Sequence, residues 1–176
     1  NSAAIRQPED VRRLLLELAQ ELGNNASIAQ LAARTQLSRP TVKRYLELLE
    51  AIFVIFKLPS WHTDPFTELH KSTKYYFWDT GIKNALQREW TISEQRSDMN
   101  SLWQNWLIAE FMKRSHTMQH HDELFFWQSR NDSTVDLILK RGEKVNPIDI
   151  RWDQSGHIPS RGWRRKYDST PELKKT

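Results

Sequence analysis

The chain has 176 residues, of which 38% are hydrophobic and 11% aromatic, and it contains no cysteine. This composition supports one medium or two small folded domains and excludes a disulfide-stabilised scaffold. No apolar run approaches the length that spans a bilayer, so no membrane partner is expected. Residues Asn1 to Gln7 lack the apolar stretch of a signal peptide, which predicts a cytoplasmic location.

The formal net charge is +4, a mild basic excess that fits contact with nucleic acid without requiring it. Most of this excess lies in a basic tail, residues 153–176, which holds six basic and three acidic side chains. A solvated surface explains such a cluster equally well. The sequence contains no glycine-rich loop with the Lys-Ser/Thr pair that holds nucleotide phosphates, so ATP is not expected to bind this chain by that route.

Three helices are predicted in the first fifty residues. The first runs from Pro8 to Leu22 and is followed by a turn at Asn24 and Asn25. The second is capped by Ser27, with Gln30 completing a capping-box pattern, and ends near Thr35. Ser38 is the expected N-cap of the third, which runs to about Glu50. The short turn before Ser38 predicts a helix-turn-helix.

Two strands are predicted after these helices, at Ile52 to Leu58 and Lys74 to Trp78, where β-branched and aromatic residues are frequent. A hairpin in this position would form the wing of a winged helix. A short helix is predicted at Ile82 to Arg88, before a polar connector. We place the domain boundary in that connector, with a winged-helix-like domain over residues 1–95 and a second domain over 96–176.

The third helix is the predicted nucleic-acid contact. With Val42, Leu46 and Leu49 facing the core, its outer face carries Arg39, Lys43, Arg44 and Glu47. Ser38 and Thr41 add hydroxyl groups at the helix N-terminus, where backbone N–H groups favour a phosphate. The predicted DNA-binding residues are therefore Ser38, Arg39, Thr41, Lys43 and Arg44. The alternative is a trihelical module that only connects domains.

The second half is predicted to contain a helix from Leu102 to Arg114 and three strands, at Leu124 to Gln128, Thr134 to Lys140 and Val145 to Trp152. Residues Pro159 to Tyr167 are compatible with a further helix. With the first half, this order of elements predicts the α+β class.

Three carboxylates in this half are candidates for a metal site. Glu110 is predicted to share the core-facing side of its helix with Trp103, Trp106, Leu107 and Phe111. Asp136 interrupts an apolar strand, and Asp149 shares one face of the last strand with Arg151. If the acids converge, Asp136 and Asp149 could bind Mg²⁺, with Glu110 and Arg151 completing a catalytic set. Spacing alone favours a structural pair of Asp149 and Arg151.

The run of Glu110, Asp136 and Asp149-Ile-Arg151, in helix-strand-strand-strand order, resembles the PD-(D/E)XK restriction-endonuclease-like fold over about Leu102 to Tyr167. The whole chain resembles the C-terminal region, a domain of unknown function, of predicted bacterial and archaeal AAA-type ATPases. The segments that carry this resemblance include LSRPTVKRYLELLEAIFVIFKLP, KYYFWDTGIKNAL, LWQNWLIAEF and FFWQSRNDSTVDLIL. It implies an upstream ATPase domain in cis, which would hold the ATP, and leaves Mg²⁺ as the one cofactor to consider here.

The chain departs from the nuclease pattern at one position and at its end. The fold's Glu-Xaa-Lys is replaced by Asp149 and Arg151, a shorter acid and a side chain that stays protonated. No final strand is predicted before Thr176. We therefore expect the nuclease-like half to be truncated or degenerate and inactive.

Three functions follow as hypotheses. The first is a binding module that docks its ATPase on double-stranded DNA, with the basic tail as a supplement. The second is a Mg²⁺-dependent DNA nuclease, and the third is an adaptor that binds a protein partner. A divalent-ion site between Asp136 and Asp149 would favour the enzyme, and an open basic recognition helix would favour the binder.

Among the tryptophans, only Trp61 and Trp163 are candidates for base stacking. The tryptophans that fall inside predicted helices and strands are expected to pack in the core.

Overall fold

The computed structural model describes residues 7–61, 73–91, 93, 96–117, 122–128 and 134–152. The fold is mixed α+β, with two small antiparallel sheets, as the order of elements predicts. The described helices are α1 (Pro8–Gln20), α2 (Ile28–Thr35), α3 (Arg39–Ala51), α4 (Thr80–Gln87) and α5 (Met99–Thr117). The described strands are β1 (Asn25–Ala26), β2 (Ile55–Pro59), β3 (Thr73–Phe77), β4 (Glu123–Gln128), β5 (Thr134–Arg141) and β6 (Lys144–Ile148).

The chain divides into two compact units. The first unit comprises Asn1–Lys57 and Ser72–Arg96, and the second comprises Leu58–Lys71 and Ser97–Thr176. Of the segment Leu58–Lys71, which groups with the second unit, the structure describes Leu58 to Trp61. The described end of this segment shows the reason for this grouping, because the Trp61 N–H donates a 2.6 Å hydrogen bond to the carbonyl oxygen of Phe126 on β4.

Helices α2 and α3 begin where their capping residues predict, whereas α4 begins at Thr80, two residues before the predicted Ile82. Both hydrogen bonds of the capping box form, since Ser27 accepts from the Gln30 N–H at 3.1 Å and the Gln30 side chain accepts from the Ser27 N–H at 3.2 Å. Ser38 caps α3 in the same position relative to its helix. The predicted inward residues of α3 are buried and are joined by Tyr45: Val42, Tyr45, Leu46 and Leu49.

The sheet of the first unit has the strand order β1-β3-β2. Its first strand corrects the turn predicted at Asn24 and Asn25, since Asn25 pairs with Lys74 and Ala26 with Thr73 on β3. A strand of two residues is too short to show an alternation of apolar and polar residues in the sequence. It is recognised only by its pairing with β3, which is distant in the chain. The second strand begins at Ile55 rather than Ile52, because Ile52 caps α3.

The second unit contains α5 and an antiparallel sheet in the order β4-β5-β6. Val135, Ile138 and Val145 form a buried cluster against which three aromatic residues pack: Trp61, Phe125 and Trp127. The last strand ends at Ile148, opposite Leu137, and not at Trp152 as predicted. Asp149 and Arg151 therefore follow the strand rather than lying on it.

The buried side of α5 differs from the prediction. The buried residues are Leu102, Gln104, Asn105, Ile108, Ala109 and Ser115. Trp106 is instead 45% exposed, and Trp103 and Glu110 are partly exposed. Apolar residues occur around the whole circumference of this helix, so helical spacing alone does not select the packed side. None of the helices in the described residues combines the length and apolar character that crossing a lipid bilayer requires.

Candidate nucleic-acid interface

The N-terminus of α3 is closed by two hydroxyl groups. Ser38 Oγ accepts a hydrogen bond from the Thr41 N–H at 3.3 Å and lies 2.8 Å from Thr41 Oγ1. One of the two hydroxyl protons is used in the contact between the side chains, and the other stays available to an acceptor. The predicted contacts Ser38 and Thr41 can thus offer a phosphate one O–H group without breaking the helix cap.

The outer face of α3 is exposed and cationic, with the orientation that the sequence predicts. Arg39, Lys43, Arg44 and Glu47 are all exposed, and they sum to +2 from three cations and one carboxylate. The ammonium of Lys43 lies 3.8 Å from a Glu47 carboxylate oxygen. An exposed pair of this kind contributes little and is screened by salt, so Lys43 remains available to a phosphate.

The two arginines of this face differ in their surroundings. The guanidinium of Arg44 lies 5.2 Å from the ring centroid of Tyr45, which holds it loosely by a cation–π contact. Arg39 forms no ion pair within the described part of the chain. Both groups carry a fixed positive charge that needs no carboxylate to be displaced before a phosphate binds.

Three other cations of the first unit are paired with carboxylates within it: Arg13 with Asp10, Arg34 with Glu17 and Glu21, and Lys57 with Glu50. The hydrogen bond that Arg34 donates to the Glu21 carboxylate raises the pKa of Arg34 and keeps that pair ionised. The positive potential of this unit is therefore concentrated on fewer groups than its composition suggests, and α3 carries three of them.

The candidate catalytic residues of the second unit form separate contacts. The side-chain amide of Gln104 donates a 2.7 Å hydrogen bond to Asp136 Oδ1, and the Ile150 N–H donates a 2.9 Å hydrogen bond to Asp136 Oδ2. Gln104 and Asp136 thus join α5 to β5. Sequence reasoning missed Gln104, although a polar amide among the apolar residues of this helix is a signal for it.

Glu110 does not join Asp136. It is six residues beyond Gln104, hence about 240° around the helix and roughly 9 Å along its axis. Its carboxylate lies 2.6 Å from the ammonium of Lys113 on the exposed side of α5. Asp149 is mostly buried and pairs with the half-exposed Arg151 at 3.5 Å, which agrees with the structural pair that spacing favours.

The three carboxylates therefore do not fit a metal centre of the expected kind. Within the described residues no group of three His, Asp or Glu side chains is placed to hold a metal ion. Asp136 has a hydrogen-bond donor on each oxygen, and the other two acids each face a cation. We derive no hydrolytic step from this arrangement.

The tryptophans also differ from the sequence prediction. Trp61, a candidate for base stacking, is half-buried and packs edge-on against Phe125 with ring centroids 5.1 Å apart. Trp163 and the basic tail lie outside the described residues. Trp106 and Trp152, predicted to be core residues, are 45% and 38% exposed. No sequence signal separates these exposed tryptophans from buried ones, because both lie in apolar runs.

These observations define a two-unit α+β chain. Its first unit presents a capped cationic helix, and its second holds a hydrogen-bonded Asp136 on the centre strand of an antiparallel sheet. The chain belongs to the family of the domain of unknown function DUF8612, whose model matches residues 1–94. Residues 99–175 match a second domain of unknown function, DUF4143. The two matches meet in the polar connector.

Two curated relatives are an uncharacterized protein of Mycobacterium tuberculosis and one of Mycobacterium bovis. Each is 24% identical to this chain over 143 residues, which is 80% of this chain and 32% of the relative. The chain thus spans about a third of the length of the curated relatives it matches. No solved structure matches it.

Proposed function

We propose that this chain binds double-stranded DNA through the outer face of α3. The observation that carries the proposal is the exposed row of Arg39, Lys43 and Arg44, set on a helix that four buried residues hold in place. Cations fixed on a rigid helix neutralise phosphates without a large ordering cost. Ser38 and Thr41 use one hydroxyl proton between their side chains, and the second hydroxyl proton adds a donor at the helix N-terminus.

The order of elements in the first unit supports the same proposal. The series α1-β1-α2-α3-β2-β3 with the strand order β1-β3-β2 is compatible with a winged helix-turn-helix and supports our assignment of that fold. In helix-turn-helix proteins the helix after the turn is inserted into the major groove. We assign this role to α3. The tip of the predicted wing lies outside the described residues.

We further propose that the chain works as the DNA-docking C-terminal module of an AAA-type ATPase. The sequence resemblance supports this, and so does the greater length of the mycobacterial relatives, which leaves room for a further domain in those proteins. In this proposal ATP binds only in the upstream domain, in cis, and the DNA-binding helix brings that domain to nucleic acid.

For the second unit we propose a nuclease-like fold without catalytic activity. Its helix followed by three antiparallel strands supports this, because it is compatible with the element order that the sequence resemblance implies. Asp136 is committed to Gln104 and Ile150, and Arg151 offers no proton acceptor to a water molecule. Plasmid nicking that requires Mg²⁺ and is abolished by Asp136→Asn in a folded protein would overturn this assignment.

The DNA-binding proposal is tested with a labelled duplex over a range of salt concentrations. We compare the wild type with Lys43→Ala/Arg44→Ala and with a charge-matched control, Arg12→Ala/Arg88→Gly, which removes two exposed cations of the same unit. The α3 variant should bind more weakly and reduce the slope of log affinity against log salt by about 2, because two phosphate contacts are lost. The control should keep the wild-type slope.

Equal affinity of the wild type and the α3 variant at low salt would remove α3 from the DNA contact. Equal losses in the α3 variant and the control would show that only the net charge matters, which also contradicts a defined helix face.

A further inference from the structure

Three tryptophans of the second unit form a cluster at the protein surface, which we call the tryptophan cluster. The rings of Trp103 and Trp106 are stacked, with centroids 5.0 Å apart and planes 20° apart. Trp152 meets Trp103 edge-on at 5.4 Å. The backbone N–H of Trp152 donates a 3.0 Å hydrogen bond to Asn100 Oδ1, so the chain after β6 is fixed against α5.

The cluster leaves aromatic surface in contact with water. Trp106 is 45% exposed and Trp152 is 38% exposed, and within the described residues of the second unit these are the exposed large hydrophobic side chains. No exposed leucine, isoleucine or phenylalanine of this unit accompanies them in that part of the chain. Exposed indole rings offer flat faces on which unpaired bases can stack.

Two exposed arginines lie on the segments that carry the cluster. Arg114 is exposed and lies eleven residues after Trp103, which is three helical turns and returns it to nearly the same side of α5, roughly 16 Å along the axis. It forms no ion pair within the described residues. Arg151 is the chain neighbour of Trp152 and is half exposed, with its guanidinium 3.5 Å from the Asp149 carboxylate.

We propose that the tryptophan cluster binds single-stranded nucleic acid by stacking unpaired bases on Trp106 and Trp152. Arg114 and Arg151 would neutralise phosphates of the same strand. Stacked aromatic rings between cations are the usual means by which proteins hold unpaired strands without reading their sequence. This site is distinct from the duplex-binding face of α3, since it uses a different unit of the chain and a different form of nucleic acid.

The test measures the fluorescence anisotropy of a labelled oligothymidylate at low salt. Trp106→Ala should lower its affinity about 5- to 100-fold, as expected for the loss of one stacked base. Trp106→Phe should keep most of the affinity, whereas Trp106→Leu should bind as poorly as Trp106→Ala because leucine has no π face. The matched control is Trp90→Ala, which removes a 64% exposed tryptophan of the first unit and should bind like the wild type.

Two further measurements separate this proposal from the duplex-binding one. An abasic oligonucleotide of equal length and charge should bind the wild type and Trp106→Ala equally weakly. Lys43→Ala/Arg44→Ala should lose duplex affinity and retain its affinity for oligothymidylate. Circular dichroism confirms that each variant is folded, which the surface position of Trp106 favours.

The proposal is overturned if the wild type does not bind oligothymidylate at low salt, or if a folded Trp106→Ala binds it as tightly as the wild type. Equal binding by Trp106→Leu and Trp106→Phe would also overturn it, and would indicate an apolar docking surface for a protein.

Discussion

The Gln104 amide and the Asp136 carboxylate are joined by a 2.7 Å hydrogen bond that ties α5 to the centre strand of the second sheet. The other oxygen of Asp136 accepts from the Ile150 N–H, two residues past the end of β6. The Asp136 carboxylate therefore accepts the hydrogen bond of a main-chain N–H just beyond the last paired residue of β6, where a neighbouring strand would otherwise supply a carbonyl oxygen. Asp136 thus links α5, β5 and the segment that follows β6.

Replacement of Asp136 should destabilise the protein according to the hydrogen bonds that are lost. Asp136→Ala leaves the Ile150 N–H and the buried Gln104 amide without this acceptor, and should lower the free energy of unfolding by about 2 to 4 kcal/mol. Asp136→Asn should cost only about 1 kcal/mol, because its carbonyl can accept from Ile150 and a turned Gln104 amide can accept from its NH₂ group. Urea denaturation measures both values, and equal costs would contradict the assigned contacts.

Glu110 should be replaceable without a comparable effect. Its partner is the exposed Lys113 on the same helix, and such pairs contribute about 0.5 kcal/mol or less. Glu110→Ala should therefore change the unfolding free energy by less than about 0.5 kcal/mol. A loss as large as that of Asp136→Ala in the same denaturation series would show that Glu110 belongs to the polar centre after all.

Two helices of the first unit end at non-glycine residues in the left-handed region, Gln36 after α2 with φ 59° and Arg88 after α4 with φ 55°. A residue with a side chain costs about 1 to 2 kcal/mol in this conformation, and glycine removes that cost. Part of the gain is offset because glycine has more conformational entropy to lose from the unfolded chain. Gln36→Gly and Arg88→Gly should each stabilise the protein by about 0.5 to 1 kcal/mol. Gly23→Ala, at φ 80°, is the control and should destabilise it. Thermal unfolding compares the three variants.

Tyr75 should make the first unit sensitive to alkali. Burial, followed by the charges of Glu50 and Glu47, raises the pKa of Tyr75 to about 12. Its unfolded pKa is about 10, so its contribution is fully present below pH 10 and is lost as pH rises toward 12. At pH 11 the wild type should lose on the order of 1 kcal/mol more stability than Tyr75→Phe, relative to pH 9. An equal loss of stability in the wild type and in Tyr75→Phe would contradict the raised pKa of Tyr75.

Glu47 should oppose DNA binding, because it is the one acidic side chain among the four outer residues of α3 and lies 3.8 Å from Lys43. Glu47→Gln should raise affinity for duplex DNA about 2- to 5-fold at low salt, an effect of the size expected for one exposed ion pair. Glu9→Gln, which makes the same charge change on the exposed start of α1, should leave the affinity unchanged. A lower affinity of Glu47→Gln for duplex DNA would show that the DNA does not bind at this face of α3.

The sequence by itself determined the helices of the first unit and the orientation of α3. Ser27 and Ser38 mark helix starts through hydrogen bonds to residues three positions away, and Val42 and Leu46 mark a buried side through spacing within one helix. These signals are local, so they can be recognised without knowing what the helix packs against. The candidate DNA-binding residues rest on the same local pattern, and the structure exposes their charged members.

Only the tertiary structure decided the remaining features. β1 exists because Asn25 meets Lys74, and the polar centre exists because Gln104 meets Asp136. The same is true of the exposure of Trp106. The apolar residues of α5 lie around its whole circumference, so only the elements that pack against the helix determine which side is covered. Each of these features depends on contacts between residues far apart in the chain. Periodicity reports which side of an element is apolar, but it carries no information about the partner that buries it.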